Sequence, residues 1–237
     1  VTERFGLVKV MAKGARRPKS KYGAALEPVT LVDCLFYHRD ARDIQTLSEA
    51  DIVDDFPELK TDVRLLSVAA CMAEIAQSQT ALDDPSSGSF NILTASLLDL
   101  KHADSESADK HLWRYVLRFL AAAGYEPVLD RCLICGKKPK GKAVFLDFSG
   151  GGVVCSCTGT GDRFGIRVSP GALMVMNELA RAAVDDLPRL RMSPAQRAEV
   201  EEVTLKFLAY HSGYSRPPRA LSFLRKMDAA MKNRGKR

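Results

Sequence analysis

No apolar run in this 237-residue sequence approaches the roughly 20 residues that a membrane span needs. No charged and apolar leader opens it, so a cytoplasmic setting is expected. The chain lacks internal repeats and low-complexity segments, and it begins at Val1 rather than at methionine, with strand-like sequence immediately after, so residues upstream of Val1 are expected. It is equally poor in catalytic signatures. The histidines, His38, His102, His111 and His211, are scattered and have no zinc-protease spacing; there is no Gly-x-Ser-x-Gly elbow and no phosphate loop. Adjacent carboxylates at Asp54-Asp55, Asp83-Asp84 and Asp185-Asp186 stand at helix starts and turns, where acids cap or are solvated. These absences argue against an enzyme.

What is present is a segregated charge. The formal net charge is +6, but residues 1–21 hold Arg4, Lys9, Lys13, Arg16, Arg17, Lys19 and Lys21 against Glu3 alone. Residues 216–237 hold Arg216, Arg219, Arg225, Lys226, Lys232, Arg234, Lys236 and Arg237 against Asp228, so the ends carry +6 and +7 and the middle of the chain −7. Positive ends on an acidic body suit a polyanionic partner; a basic loop and a solvated tail that only aid solubility are the plain alternative.

The periodicity divides the chain. Phe5–Met11, Val29–Tyr37 and the stretch around Ile44–Val53 alternate or are β-branched, which predicts short strands in a small barrel or sheet. Between the first two lies a loop, Ala12–Gly23, rich in glycine and cations. From Phe56 the apolar residues recur every three or four positions, predicting helices over about 58–79, 89–100 and 110–123, with a break at Asp83–Gly88 and an end at Gly124. Ser169-Pro170 and Ser193-Pro194 each pair a capping hydroxyl with proline at the first helical position, marking helices near 170–184 and 194–210, and a shorter one is expected over about 219–231. Nearly half of the residues are apolar, enough for a sizeable core. Cys34 and Cys71, each alone in an apolar run, are expected within it.

The other four cysteines carry the sharpest signal. Cys132-Leu-Ile-Cys135 has the two-residue spacer of a zinc half-site. Cys155-Ser-Cys157 has one residue fewer, so joint ligation needs a local bend, which Gly151-Gly152 before and Gly159 and Gly161 after would permit. Four thiolates leave no open position for a reacting water, so one Zn2+ held by all four is expected to be structural; a degraded site or a redox dithiol are the alternatives. The basic loop offers Lys13, Arg16, Arg17, Lys19 and Lys21, with Lys9 before them, to phosphates, and Tyr22 to a base. On the third helix Trp113, Tyr115, Leu117, Phe119 and Leu120 form a bulky stripe that reads as core. Arg114 and Arg118 nevertheless share a face four residues apart, and with Leu117 they outline a groove for an acidic-aromatic peptide tail.

The run Phe5-Gly-Leu-Val-Lys-Val-Met-Ala-Lys-Gly-Ala-Arg-Arg17, then Lys19-Ser-Lys21 and Ala25-Leu-Glu-Pro28, resembles the first domain of the RecO family of bacterial recombination mediators. The likeness continues, in order, through Gly124-Tyr-Glu-Pro127, Leu129-Asp-Arg-Cys132, Cys135-Gly136, Phe145, Gly151-Gly-Val153 and Ser169-Pro-Gly171. It implies an α+β multidomain architecture. An N-terminal OB-fold barrel spans residues 1–54, a helical domain 55–130 and 167–237 with a basic tail, and a zinc-finger-like insertion 131–166. It implies DNA phosphate contact by Lys13, Arg16, Arg17, Lys19 and Lys21, and zinc on Cys132, Cys135, Cys155 and Cys157. Strand annealing follows, as does help in replacing single-strand-binding protein with recombinase. The implied partners are single- and double-stranded DNA, RecR, the C-terminal tail of single-strand-binding protein and, indirectly, the recombinase RecA, in a nucleoid-associated cytoplasmic setting. Three departures stand out, the first being that the tail beyond about Met231 is an extra basic extension. Thr2-Glu3-Arg4 falls where the family's first strand has already passed, so the barrel is expected to lack that strand. Thr158 occupies the place expected for the fourth cysteine, which is offset to Cys157. A non-DNA-binding adaptor that recruits partners through its helical domain is the competing class, and a zinc-dependent nuclease or deaminase lacks an open metal position.

Overall fold

The computed structural model describes residues 1–39, 41–81, 88–141, 144–157, 163–213 and 216–234. All of the break predicted at Asp83–Gly88 except Gly88, the glycines at 159 and 161, Thr158 and the last cations, Lys236 and Arg237, lie outside them. The chain forms two compact units, Val1–Ser105 with Pro218–Arg237, and Glu106–Pro217.

In the first unit, strands β1 (Val10–Met11), β2 (Leu31–Tyr37) and β3 (Gln45–Asp54) form a sheet of order β1-β3-β2. β1 runs parallel to β3 and β2 antiparallel to it, with Phe36 opposite Leu47 and Leu35 opposite Glu49. Gln45 and Leu47 are the buried residues of β3. Among the described residues these strands do not close into a barrel, so the predicted OB-fold barrel is reduced here to a small sheet. The strand predicted over Phe5–Met11 shrinks to two residues because Thr2 and Gly6 close on each other as a turn, leaving only Val10 and Met11 to pair with β3.

The single helix predicted over 58–79 is two, α1 (Pro57–Thr61) and α2 (Val63–Gln79). Asp62 between them is extended, and its carboxylate accepts from the backbone N–H of Arg64 (2.7 Å) and Leu65 (3.2 Å), satisfying the first turn of α2. α3 (Ser89–Leu100) follows Gly88, and α7 (Arg219–Arg234) packs on α2. Glu74 of α2 caps α7, its two carboxylate oxygens accepting from Arg219 N (2.7 Å) and Ala220 N (3.1 Å), and Arg64 pairs with Asp228. Phe56, Leu59, Met72, Ile75 and Leu100 fill this unit's core together with Cys71. Cys34 is only half-buried, because β2 is an edge strand.

The second unit is built on α4 (Ala108–Ala122), whose Trp113, Tyr115, Val116, Leu117, Phe119 and Leu120 are all buried; the bulky stripe is core. Its sheet has order β5-β4-β6, from β4 (Val144–Asp147), β5 (Gly152–Val154) and β6 (Gly165–Val168), all antiparallel. α5 (Pro170–Arg181) and α6 (Pro194–Ser212) start as the Ser-Pro pairs predict. Ser169 Oγ accepts from Ala172 N (3.1 Å) and Ser193 Oγ from Gln196 N (3.2 Å), while Ser193 N donates in turn to Gln196 Oε1 (2.9 Å). Phe148, just past β4, meets Phe207 of α6 edge-on at 5.7 Å, joining the sheet to the helices.

Candidate nucleic-acid interface and metal centre

The loop between β1 and β2 is a chain of tight turns. Ala15 N donates to Ala12 O, Arg17 N to Gly14 O and Ser20 N to Arg17 O, at 3.0 to 3.3 Å. Its far end is pinned to β3, where the Tyr22 hydroxyl donates to Leu47 O (2.9 Å) and Lys21 Nζ to Ser48 O. Turns of this kind point side chains outward, and Lys13, Arg16, Arg17, Lys19 and Lys21 are all exposed, as is Lys9. Tyr22 is placed differently. It is 5% exposed, and Lys21 Nζ lies 5.3 Å from its ring centroid, so it anchors the loop and presents no face to a base. The exposed cations Arg219, Arg225 and Lys226 of α7 belong to the same unit as this loop, whereas Arg216 belongs to the other.

The four predicted metal ligands come together in the second unit. The sulfur atoms of Cys132, Cys135, Cys155 and Cys157 all lie within 4.8 Å of one another. Cys132 and Cys157 are 3.7 Å apart, as are Cys135 and Cys155. A tetrahedral ion with Zn–S bonds of about 2.3 Å needs S···S edges of about 3.8 Å, so the donor set fits. The knuckle is shaped by the backbone. Gly136 N donates to Cys132 O (2.9 Å) and Cys132 N to Lys137 O (2.8 Å), while Leu133 N donates to Val153 O (2.9 Å) and ties the turn to β5. This close approach requires Gly152, where a Cβ would lie 2.8 Å from Val128 Cβ and 2.9 Å from Leu133 Cδ2. The one-residue spacer is accommodated because β5 ends at Val154 and the chain turns at Ser156, bringing Cys157 to Cys132.

The electrostatics favour a thiolate at one member of the set. Burial opposes ionisation of Cys132, but amide N–H groups outweigh it. The Cys135 backbone N–H contributes most, followed by Cys155 N and Ile134 N, which each donate to the sulfur at 3.4 Å, and the Cys132 thiol is brought down to about 6. Cys157 is pushed up to about 12, first by its hydrogen bond with Cys155, then by burial and by its remaining cysteine neighbours. Filling the site therefore displaces protons. What sequence reasoning missed are these backbone donors, which no residue type signals, and the tether from Leu133.

The predicted peptide groove divides between two environments. Arg118 is exposed, Leu117 is 3% exposed, and Arg114 Nε donates to Ala182 O at 3.3 Å. Among the described residues no helix is long and apolar enough to cross a membrane.

Comparison with known proteins agrees in order and extent. Residues 1–56 match the family described as Recombination protein O N terminal, and residues 60–220 match Recombination protein O C terminal. The chain is 34% identical over 230 residues to the DNA repair protein RecO of Salinibacter ruber, covering 97% of this chain and 86% of that one. It is 33% identical over 227 residues to the DNA repair protein RecO of Frankia casuarinae, covering 94% and 88%. To the DNA repair protein RecO of Desulfitobacterium hafniense it is 29% identical over 208 residues, covering 86% and 74%. With both family segments present in sequence order and two relatives above 30% identity over most of their length, the chain belongs to the RecO family of DNA repair and recombination proteins, which are not enzymes.

Proposed function

We propose that this protein binds single- and double-stranded DNA through phosphate contacts and anneals complementary strands by neutralising their mutual repulsion. It thereby helps recombinase replace single-strand-binding protein. The observation that carries this reading is the pinned loop with five exposed cations, Lys13, Arg16, Arg17, Lys19 and Lys21, in the same unit as the cations of α7. Exposed cations on a fixed backbone release counterions from a polyanion with little ordering cost. The N-terminal sheet, in this reading, is part of an OB-fold, whose groove suits single strands. The four cysteines hold one structural Zn2+, and the helical domain meets RecR and the tail of single-strand-binding protein in the nucleoid-associated cytoplasm. Annealing tests it. Added to two complementary oligonucleotides coated with single-strand-binding protein, the wild-type chain is expected to raise the duplex-formation rate severalfold at low salt and not at high salt. A rate unchanged at every salt concentration contradicts the proposal.

A further inference from the structure

One end of the N-terminal sheet carries aromatic rings and cations that the phosphate-binding loop does not include. The turn Thr2–Gly6 is closed by Thr2 N donating to Gly6 O (2.6 Å) and by Phe5 N donating to Thr2 Oγ1 (3.1 Å). It holds the Phe5 ring edge-on to Phe36, with centroids 5.4 Å apart, and stacked on His38 at 5.5 Å with 23° between planes. Phe5 is 36% exposed, and His38 and Tyr37 beside it are exposed as well.

The residues after β2 are organised from below by Gln45, which is 4% exposed. Its Oε1 accepts from Arg39 N (2.9 Å), and its Nε2 donates to Arg39 O (3.1 Å) and to Arg42 O (2.8 Å). Three bonds from one buried amide fix the backbone of Arg39 and Arg42, while both side chains stand exposed. Gln45 N also donates to Lys9 O (2.8 Å), which brings Lys9 to the same end of the sheet. Arg4, on the Phe5 turn, is exposed too. Among the described residues of these segments the cations Arg4, Lys9, Arg39 and Arg42 stand against the carboxylates Glu3 and Asp43.

We propose that this end of the sheet is a base-stacking site for single-stranded nucleic acid, in which Phe5 and His38 receive a base while Arg4, Lys9, Arg39 and Arg42 meet the flanking phosphates. The inference rests on the DNA-binding reading above and adds to it the preference for single strands that the loop lacks, since Tyr22 is buried. Stacking on an exposed ring needs a base freed from its own stack, so a duplex engages only the cations. A polyanion with separable flat rings fits both halves of the patch.

The test uses the full chain, an oligonucleotide carrying the fluorescent base 2-aminopurine, and the same sequence as a duplex. Wild-type protein is expected to quench the probe in the single strand. Phe5→Leu keeps apolar packing on Phe36 but offers no aromatic face; it is expected to remove the quench and weaken single-strand binding about tenfold, with duplex binding unchanged. Arg39→Gln with Arg42→Gln is expected to weaken both and to reduce the salt slope by about 1.4 on single strands. Melting temperatures equal to wild type show that the variants fold, and His38→Ala, which leaves the Phe5–Phe36 contact, serves where Phe5→Leu does not fold. Wild-type quench and affinity in a folded Phe5→Leu or His38→Ala variant would overturn the stacking site while leaving the phosphate-binding reading standing. A wild-type chain that binds neither oligonucleotide sinks both.

Discussion

Cys132→Ser is expected to abolish metal binding and to lower the melting temperature of the second unit by roughly 10 °C or more. Cys132 is the buried member of the cluster, and its sulfur already accepts from two backbone N–H groups. A serine hydroxyl is shorter and does not ionise near neutral pH, so one corner of the tetrahedron is lost and the two amides face a poorer acceptor. Structural zinc stabilises small folds by about 10–16 kcal/mol of apparent binding energy, so even partial loss of the site costs about 3 kcal/mol or more. Elemental analysis of purified wild-type protein should give about one zinc per chain, and the variant close to none. Because thiols shed protons when they ligate, wild-type zinc affinity should fall as pH drops, about tenfold per unit for each proton displaced. Cys71→Ser is the control. Cys71 is buried in α2 of the first unit and is not one of the four clustered cysteines, so that change costs packing without touching metal content. Zinc-free wild-type protein with an unchanged melting curve would show that the knuckle stands without an ion.

Charge reversal at Arg16 and Arg17 should reduce affinity for DNA by roughly 100-fold near 0.1 M salt, equally for single strands, duplexes and unrelated sequences. Both side chains are exposed on a loop whose backbone is held by its own turns and by Tyr22, so folding should be unaffected within about 0.5 kcal/mol. The loss has two parts. Two counterion-releasing contacts disappear, and two carboxylates then repel the phosphates that Lys13, Lys19 and Lys21 still attract. Arg16→Lys with Arg17→Lys should retain most of the affinity, since point charges serve a phosphate nearly as well. Affinity unchanged by reversal would remove this loop from the interface.

Much of the helical architecture was legible in the sequence because its signals are local. Ser169-Pro170 and Ser193-Pro194 predict their helices through cap chemistry that involves only four residues, and the cysteine spacing predicts a cluster that the folded chain assembles. Most of what failed was set by partners distant in sequence, and one failure by a local cap that the helical period hides. Asp62 reads as one more polar residue on a continuous helix until its extended backbone and two accepted bonds are seen. Tyr22 reads as a base-stacking residue, but Leu47, on a strand twenty-five residues away, takes its hydroxyl and buries its ring. Leu117 reads first as core and second as the wall of a groove, and its burial agrees with core. Gln45 and Glu74 carry no pattern at all, although one organises a loop and the other caps a helix 145 residues away. The strand predicted from Phe5 shortens for a related reason, since pairing depends on which neighbour a strand finds.

The most direct test of the account is an equilibrium titration of the wild-type chain with an oligonucleotide of arbitrary sequence across a range of salt concentrations. Phosphate contact through the loop cations predicts that log affinity falls linearly with log salt, with a slope of about −3 to −4 on single strands from the five loop cations alone, steeper by up to about 2.8 where Arg4, Lys9, Arg39 and Arg42 engage as well, and the same slope for a second, unrelated sequence. A slope near zero, or binding confined to one sequence, would contradict it.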